Sequence, residues 1–281
     1  MNILGISAFY HDSAAALLTG GRIAAAAQEE RFSRKKHDAS FPARAVRFCL
    51  GYAGLSCRDL DAVVFYDKPF LKFERLLETY YVSAPQGLKS FLSAIPVWVK
   101  EKILLKKLIR DEFAKIDSID PARTKLLFTE HHLSHAASAF YPSPFREAAI
   151  LTIDGVGEWS TASISMGKDR EITLLKELRF PHSVGLLYSA FAYYLGFRVN
   201  SGEYKLMGLS PYGNPYSDRV KNLREAILKH IVEVKEDGSI WLNQDYFDYA
   251  TGLTMVKDQA WKALLGIPRR MPETELGQEH G

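Results

Sequence analysis

Two histidines four residues apart, His131 and His135, open the small-residue stretch Glu130-His131-His132-Leu133-Ser134-His135-Ala136-Ala137-Ser138-Ala139. On a helix that spacing puts both imidazoles on one face, where they can share an ion. His132 projects about 100° away and is not expected in the same shell. Nineteen residues past His135, the apolar run Ala148-Ala149-Ile150-Leu151-Thr152-Ile153 ends in Asp154-Gly155-Val156-Gly157. A carboxylate at a strand end beside glycines can supply a third ligand. Two histidines and a carboxylate with open positions suit a working divalent metal better than a closed structural one. Two ordinary readings compete: helical histidines often serve packing or solvent, and Asp-Gly is a favoured turn.

Three other stretches concentrate polar chemistry. Ser7-Ala8-Phe9-Tyr10-His11-Asp12-Ser13-Ala14-Ala15 joins two strand patterns through small and hydroxyl residues. Such a turn can aim backbone N–H groups at a phosphate, with His11 and Ser13 as added donors, or it can be a plain hairpin connection. Neither a P-loop nor a dinucleotide Gly-x-Gly-x-x-Gly occurs. Glu29-Glu30-Arg31-Phe32-Ser33-Arg34-Lys35-Lys36-His37 gathers cations directly after a strand pattern. They form a solvated loop, or one or two reach a phosphate or carboxylate. In Ser201-Gly202-Glu203-Tyr204-Lys205-Leu206-Met207-Gly208 and the Pro-Tyr-Gly turn after it, Glu203 or Lys205 suits a ligand role in a loop. The alternative there is an ion pair that fixes the loop.

These groups need a scaffold, and the chain can build one. Its 281 residues, 47% hydrophobic and 25% charged, are those of an ordinary globular protein with one large domain or two smaller ones. Strand patterns at 2–7, 14–18 and 22–28, a helix at 42–53 and a strand at 62–66 begin a ribonuclease-H-like layered α/β domain. Strands at 125–129 and 147–153, a helix at 131–141 between them, strands at 161–166 and 172–178, and helices at 184–195 and 216–234 extend it. Residues 70–116 interrupt the scheme as a helical insertion. Its basic amphipathic segment 97–110 fits a helix packed on its own domain with lysines in solvent. The tail 266–281 is poor in apolar groups and reads as a truncation point or frayed end.

Composition excludes several classes. A net charge of +3, from 36 basic and 33 acidic residues, makes no electrostatic case for nucleic acid. No apolar run is long enough for a membrane span. Cys49 and Cys57, without metal-motif spacing, and a start lacking a signal-peptide pattern point to the cytoplasm.

Five of these stretches and a sixth at 181–185, in order, resemble the carbamoyltransferase family that includes nodulation protein U and the cephalosporin and tobramycin O-carbamoyltransferases. They are Tyr10-His11-Asp12-Ser13-Ala14-Ala15; Glu29-Glu30-Arg31-Phe32 with Arg34-Lys35-Lys36-His37; His131-His132-Leu133-Ser134-His135-Ala136-Ala137-Ser138-Ala139; Asp154-Gly155-Val156-Gly157-Glu158-Trp159; Pro181-His182-Ser183-Val184-Gly185; and Gly202-Glu203-Tyr204-Lys205-Leu206-Met207-Gly208. The likeness runs from residue 2 to about residue 270. It implies the N-terminal part, residues 1–265, of an actin-like (ASKHA) Kae1-like domain with two ribonuclease-H-like halves.

By the same resemblance, a carbamoyl group passes from carbamoyl-adenylate, made from ATP and carbamoyl phosphate in a separate YrdC-like domain, to a hydroxyl of a small molecule or glycan. His131, His135 and Asp154 would hold a divalent metal, iron(II) first, with zinc or manganese as alternatives. His11, Lys36 and Ser183 would contact the adenylate, Asp154 would reach it through the metal, and Glu203 and Lys205 belong to the same binding set. His11 is the candidate to receive the acceptor's proton, and Lys36 to offset charge on the departing adenylate. Relatives are about twice as long. The chain is therefore expected to lack the second actin-like half, with the aspartate completing the metal site, and the YrdC-like domain, and to be inactive alone until that half is supplied in cis or trans. The alternatives are a tRNA-threonylcarbamoyl-transferase-like protein and a non-catalytic truncated module that binds metal or nucleotide.

Overall fold

The computed structural model describes residues 1–98, 104–275 and 277. Along the chain come β1 (Asn2–Ser7), β2 (Ala14–Thr19), β3 (Arg22–Gln28), the short α1 (Glu30–Ser33), α2 (Ala43–Tyr52) and β4 (Ala62–Phe65). Helices α3 (Pro69–Ser83), α4 (Leu88–Trp98) and α5 (Leu105–Ala114) precede β5 (Lys125–Phe128) and α6 (His131–Phe140). The remainder holds β6 (Glu147–Ile153), β7 (Ser160–Lys168), β8 (Glu171–Arg179), α7 (Val184–Tyr194) and α8 (Glu203–Leu209). It continues with α9 (Asp218–His230), β9 (Val232–Val234), β10 (Ile240–Leu242) and α10 (Asp258–Leu265). Two compact units result: Met1–Glu74 with Ala94–Ser134, and Arg75–Ser93 with His135–Gly281. The division falls within α6, between Ser134 and His135.

In the first unit one sheet has the order β3-β2-β1-β4-β5. β1, β2 and β3 form an antiparallel meander, whereas β4 and β5 run parallel to β1. That arrangement is ribonuclease-H-like. The β2–β3 turn needs positive φ at two consecutive positions, and Gly20 (59°) and Gly21 (81°) supply it without steric cost. Alternate residues Leu4, Ile6, Ala15 and Leu17 point inward against the stripe Ala45, Val46, Cys49 and Leu50 of α2. Glu29 is buried, and its carboxylate accepts the N–H groups of Arg44 and Ala45 that α2 leaves unpaired (3.0 and 2.9 Å).

The expected insertion is helical. Leu105, Ile109 and Phe113 of α5 are fully buried at helical spacing while Lys106 and Lys107 face solvent. The part of the basic segment that is described thus packs on its own unit; its residues 99–103 lie outside the described residues. Among the described residues, no helix is long and apolar enough to cross a membrane.

The second unit opens with the same local order, a meander in the order β6-β7-β8 followed by the helix α7, as in an actin-like chain. Its core gathers Trp261, Tyr194, Ile231, Leu242 and Phe247. Three expectations change here. The helix expected to 234 stops at His230, because the β-branched Val232 and Val234 go into a hairpin with β10. The stretch 201–213 is not a loop but helix α8 and a 3-10 turn. The tail is anchored: Arg270 is buried, its N–H donates to the Tyr194 carbonyl (2.9 Å) and its guanidinium to the Leu195 carbonyl (2.6 Å).

Candidate metal centre and its surroundings

Helix α6 carries the two histidines, and small residues let it lie close to its neighbours. Ala136 and Phe140 pack on Ile150 of β6. The Phe140 ring rests on Gly167 of β7, where a Cβ would come within 2.7 Å of it. This contact fixes the helix over the strand that ends at Asp154. The Asp154 N–H donates to the Thr161 carbonyl (2.9 Å), closing a hairpin, and Asp154 Oδ1 accepts the Gly155 N–H (2.7 Å). Asp154 Oδ2 then faces His135 Nε2 at 3.6 Å.

One ligand atom each from His131, His135 and Asp154 lies within 4.8 Å of the others. Two atoms bound to one ion at about 2.1 Å can be at most about 4.2 Å apart. The 3.6 Å pair already satisfies that limit, and the widest separation needs only a small side-chain adjustment. Imidazole and carboxylate donors of this kind suit iron(II), zinc or manganese. His135 is half exposed and Asp154 one-third exposed, so further ligands can reach the group. His132 is buried and outside it, as its helical angle predicts.

Ser183 adjoins the Asp154 turn. Its hydroxyl is fully buried, caps α7 by accepting the Leu186 N–H (3.0 Å) and donates to the Gly155 carbonyl (2.7 Å). Gly185 allows this close approach, since a Cβ there would meet the Asp154 carbonyl at 2.5 Å. Ser183 therefore positions the Asp154 turn. Glu203 is committed too. Burial favours its neutral form, but hydrogen bonds from the Asn200 N–H (2.9 Å), the Ser189 hydroxyl (2.8 Å) and the Gly202 N–H outweigh this and hold its carboxyl below the usual range. It fixes the start of α8, while Lys205 stands exposed on that helix.

In the first unit the turn after β1 and the basic stretch come together. The Phe9 N–H donates to the Ala39 carbonyl and the Ser13 N–H to the Asp38 carbonyl, both at 2.9 Å. Phe9, Asp12, Arg34 and His37 hold positive φ in the process, which sets the path of both loops. Asp12 joins them: one oxygen takes His11 Nδ1 (2.8 Å) and the other His37 Nδ1 (3.1 Å). Against a carboxylate, Nδ1 carries the hydrogen, which leaves His11 Nε2 as the basic nitrogen. Lys36 is exposed beside this pair. Sequence reasoning named His11 but not its orienting partner Asp12, nor His37.

It also missed the ends of β4 and β5. Asp67 and Lys72 form a nearly buried ion pair after β4, with Lys72 about 6 Å from the Tyr10 and Tyr66 rings. The Tyr66 ring in turn lies 5.5 Å from that of His131. The signal available was a carboxylate at a strand end with a lysine five residues on.

Comparison with known proteins agrees with the motifs. The family described as Carbamoyltransferase N-terminus matches residues 2–272. An uncharacterized protein of Synechocystis, sll1178, is 55% identical over 99% of this chain and 44% of its own length. Nodulation protein NolNO of Sinorhizobium fredii is 38% identical over 75% of this chain and 29% of its own. The chain thus spans less than half the length of these relatives. Among solved structures, YeaZ from Pseudomonas aeruginosa aligns over 63% of this chain and 67% of its own, with 15% identity and a TM-score of 0.31. With one family matched across almost all of its residues, the chain belongs to the carbamoyltransferase N-terminus family.

Proposed function

We propose that this chain holds the metal in an O-carbamoyltransferase, which moves a carbamoyl group from carbamoyl-adenylate to a hydroxyl acceptor. The carrying observation is the grouping of His131, His135 and Asp154, at positions that helical spacing and a strand end pick out in advance. A bound divalent metal polarises a carbonyl oxygen and offsets charge on the adenylate. Asp12 orients His11, whose Nε2 accepts the proton of the acceptor hydroxyl. Lys36, on the loop laced to the same turn, approaches the phosphate. Ser183 and Gly185 hold the Asp154 turn in place.

We read the second meander as the start of the other actin-like half, so the chain carries the opening of that half rather than none of it. β6 is an edge strand, with Leu151 and Ile164 exposed as a cross-strand pair on one face. In the first unit the equivalent edge, β1, is covered by β4 and β5. Further strands of a longer polypeptide would cover β6 the same way and supply the remaining ligand, and a separate domain the adenylate-forming activity.

The test is carbamoylation of a hydroxyl acceptor by the longer protein that contains this chain. His131→Ala and Asp154→Asn are expected to abolish transfer while leaving pyrophosphate release from ATP and carbamoyl phosphate intact. Transfer at the unaltered rate in both variants would contradict the proposal.

A further inference from the structure

A nearly buried ion pair of the first unit has no part in the proposed transfer. Asp67 follows β4, and Lys72 lies in the first turn of α3, where its N–H donates to the Lys68 carbonyl (3.3 Å). The two side chains are only 5% and 12% exposed, and Asp67 Oδ2 meets Lys72 Nζ. Asp67 Oδ1 is buried and has no hydrogen-bond partner among the described residues. The carboxylate is thus committed to the ammonium. Such a pair adds little net stability over apolar side chains of similar volume, because both ions must leave water. Stability alone does not explain why charge is kept here.

The surroundings of the ammonium supply a reason. Lys72 Nζ lies over two aromatic rings, 5.9 Å from the centre of Tyr10 and 6.0 Å from that of Tyr66. A cation within about 6 Å of a ring face is drawn to it, the more so where water is excluded. Each ring also lies beside a histidine. Tyr10 stands against His11 with ring centres 4.5 Å apart, and Tyr66 against His131 at 5.5 Å. Tyr10 is 58% exposed, so packing by itself holds its ring weakly. Tyr66 is tied to α6 through its backbone as well, since its carbonyl accepts the Ser134 hydroxyl (3.0 Å). One ammonium, fixed by Asp67, therefore sets two rings, and each ring sets an imidazole on a different element.

We propose that Lys72 is a positioning residue, which holds His11 and His131 in their orientations through Tyr10 and Tyr66. Asp67 serves it by fixing the ammonium. That these imidazoles transfer a proton and bind metal rests on the proposed function; that Lys72 holds them does not.

Lys72→Met alone would leave the Asp67 carboxylate buried and unpaired, which destabilises the fold by itself. The informative variant is the double exchange Asp67→Val with Lys72→Met in the 281-residue chain, which removes both charges together. Its thermal melt is expected to stay cooperative. Zinc affinity, measured by competition with a chromogenic chelator, should fall by about tenfold or more, as when groups that orient metal ligands are lost. In metal-free protein at a single pH, the imidazole C–H resonances of His11 and His131 should move, and those of His182 and His230 should not. Lys72→Arg keeps the charge over the rings and should stay within about threefold of wild type in zinc affinity.

Either wild-type zinc affinity or unmoved His11 and His131 resonances in the folded double variant would overturn the proposal. So would a double variant that does not melt cooperatively, which would make the pair a folding element, or a Lys72→Arg chain as impaired as the double variant. Wild type that binds no zinc would contradict the proposed function instead, and the resonances of the metal-free chain then decide the role of Lys72.

Discussion

The Asp12–His11 pair shows how much of the chemistry depends on single side chains. Asp12 fixes the hydrogen on His11 Nδ1, so its effect passes through the imidazole rather than through a ligand. In the longer protein, His11→Ala is expected to lower transfer by about 10²–10⁴-fold, the usual contribution of a proton-transferring side chain. Asp12→Asn should cost less and should shift the pH profile of transfer, as a change in the imidazole's partner requires. Unchanged rates in His11→Ala with retained binding would remove it from the mechanism. His131, His135 and His11 were legible as chemistry because their spacing or neighbours are unusual. Asp12 and His37 were not, since residues 25 apart meet only when two loops with positive φ are laced together. Glu203 stood out as a charged residue beside glycines, and Ser183 through the family resemblance alone. Burial shows why the glycines are there: they let backbone pass close to Asp154 and Phe197.

At the scale of elements, one contact that holds the centre and one that holds a loop of the first unit can be probed. Gly167→Ala places a methyl group against Phe140, at a cost of about 1–3 kcal/mol. It should lower both thermal stability and metal affinity, because α6 must lift away from β7. Equal metal affinity in that variant would show that the Phe140 contact does not position the helix. The loop after α1 depends on Asp38. Hydrogen bonds from the Ser33 hydroxyl, then from the Ser40 hydroxyl and N–H, lower its carboxyl from 3.8 to about 2. A depressed carboxyl stabilises the fold above its unfolded value, so this contribution is present above pH 3.8 and is lost as pH falls toward 2. Thermal melts between those pH values should show a shallower acid loss in Asp38→Asn.

In the first unit β1 and β3 lie where the strand patterns put them, whereas α5 begins inside the amphipathic segment 97–110 and runs past it to Ala114. Failures came where a signal was overridden. Glycines at 202 and 208 masked α8, although Glu203 in its first turn is a helix-start signal. Charges as far as His230 hid the switch to β-branched residues at 231. The helix α10 had legible marks, Asp258 at its start and Gly266 just past its end.

The whole molecule divides into two units, Met1–Glu74 with Ala94–Ser134 and Arg75–Ser93 with His135–Gly281. Core packing is tight enough for single losses to matter. Phe113→Ala is expected to cost about 3–5 kcal/mol, read as a lower denaturant midpoint with an unchanged slope. Given ATP and carbamoyl phosphate, the 281-residue chain alone is expected to release neither AMP nor pyrophosphate, since that chemistry is proposed for the rest of the longer relatives. Release of either would contradict the proposed division of labour. The central claim, however, is narrower and can be tested on this chain alone. After chelation and anaerobic reloading with iron(II) or zinc, elemental analysis should find about one metal per wild-type chain, and markedly less in His131→Ala and Asp154→Asn chains with unchanged circular dichroism. Wild type that retains no metal, or variants that retain as much as wild type, would contradict the account.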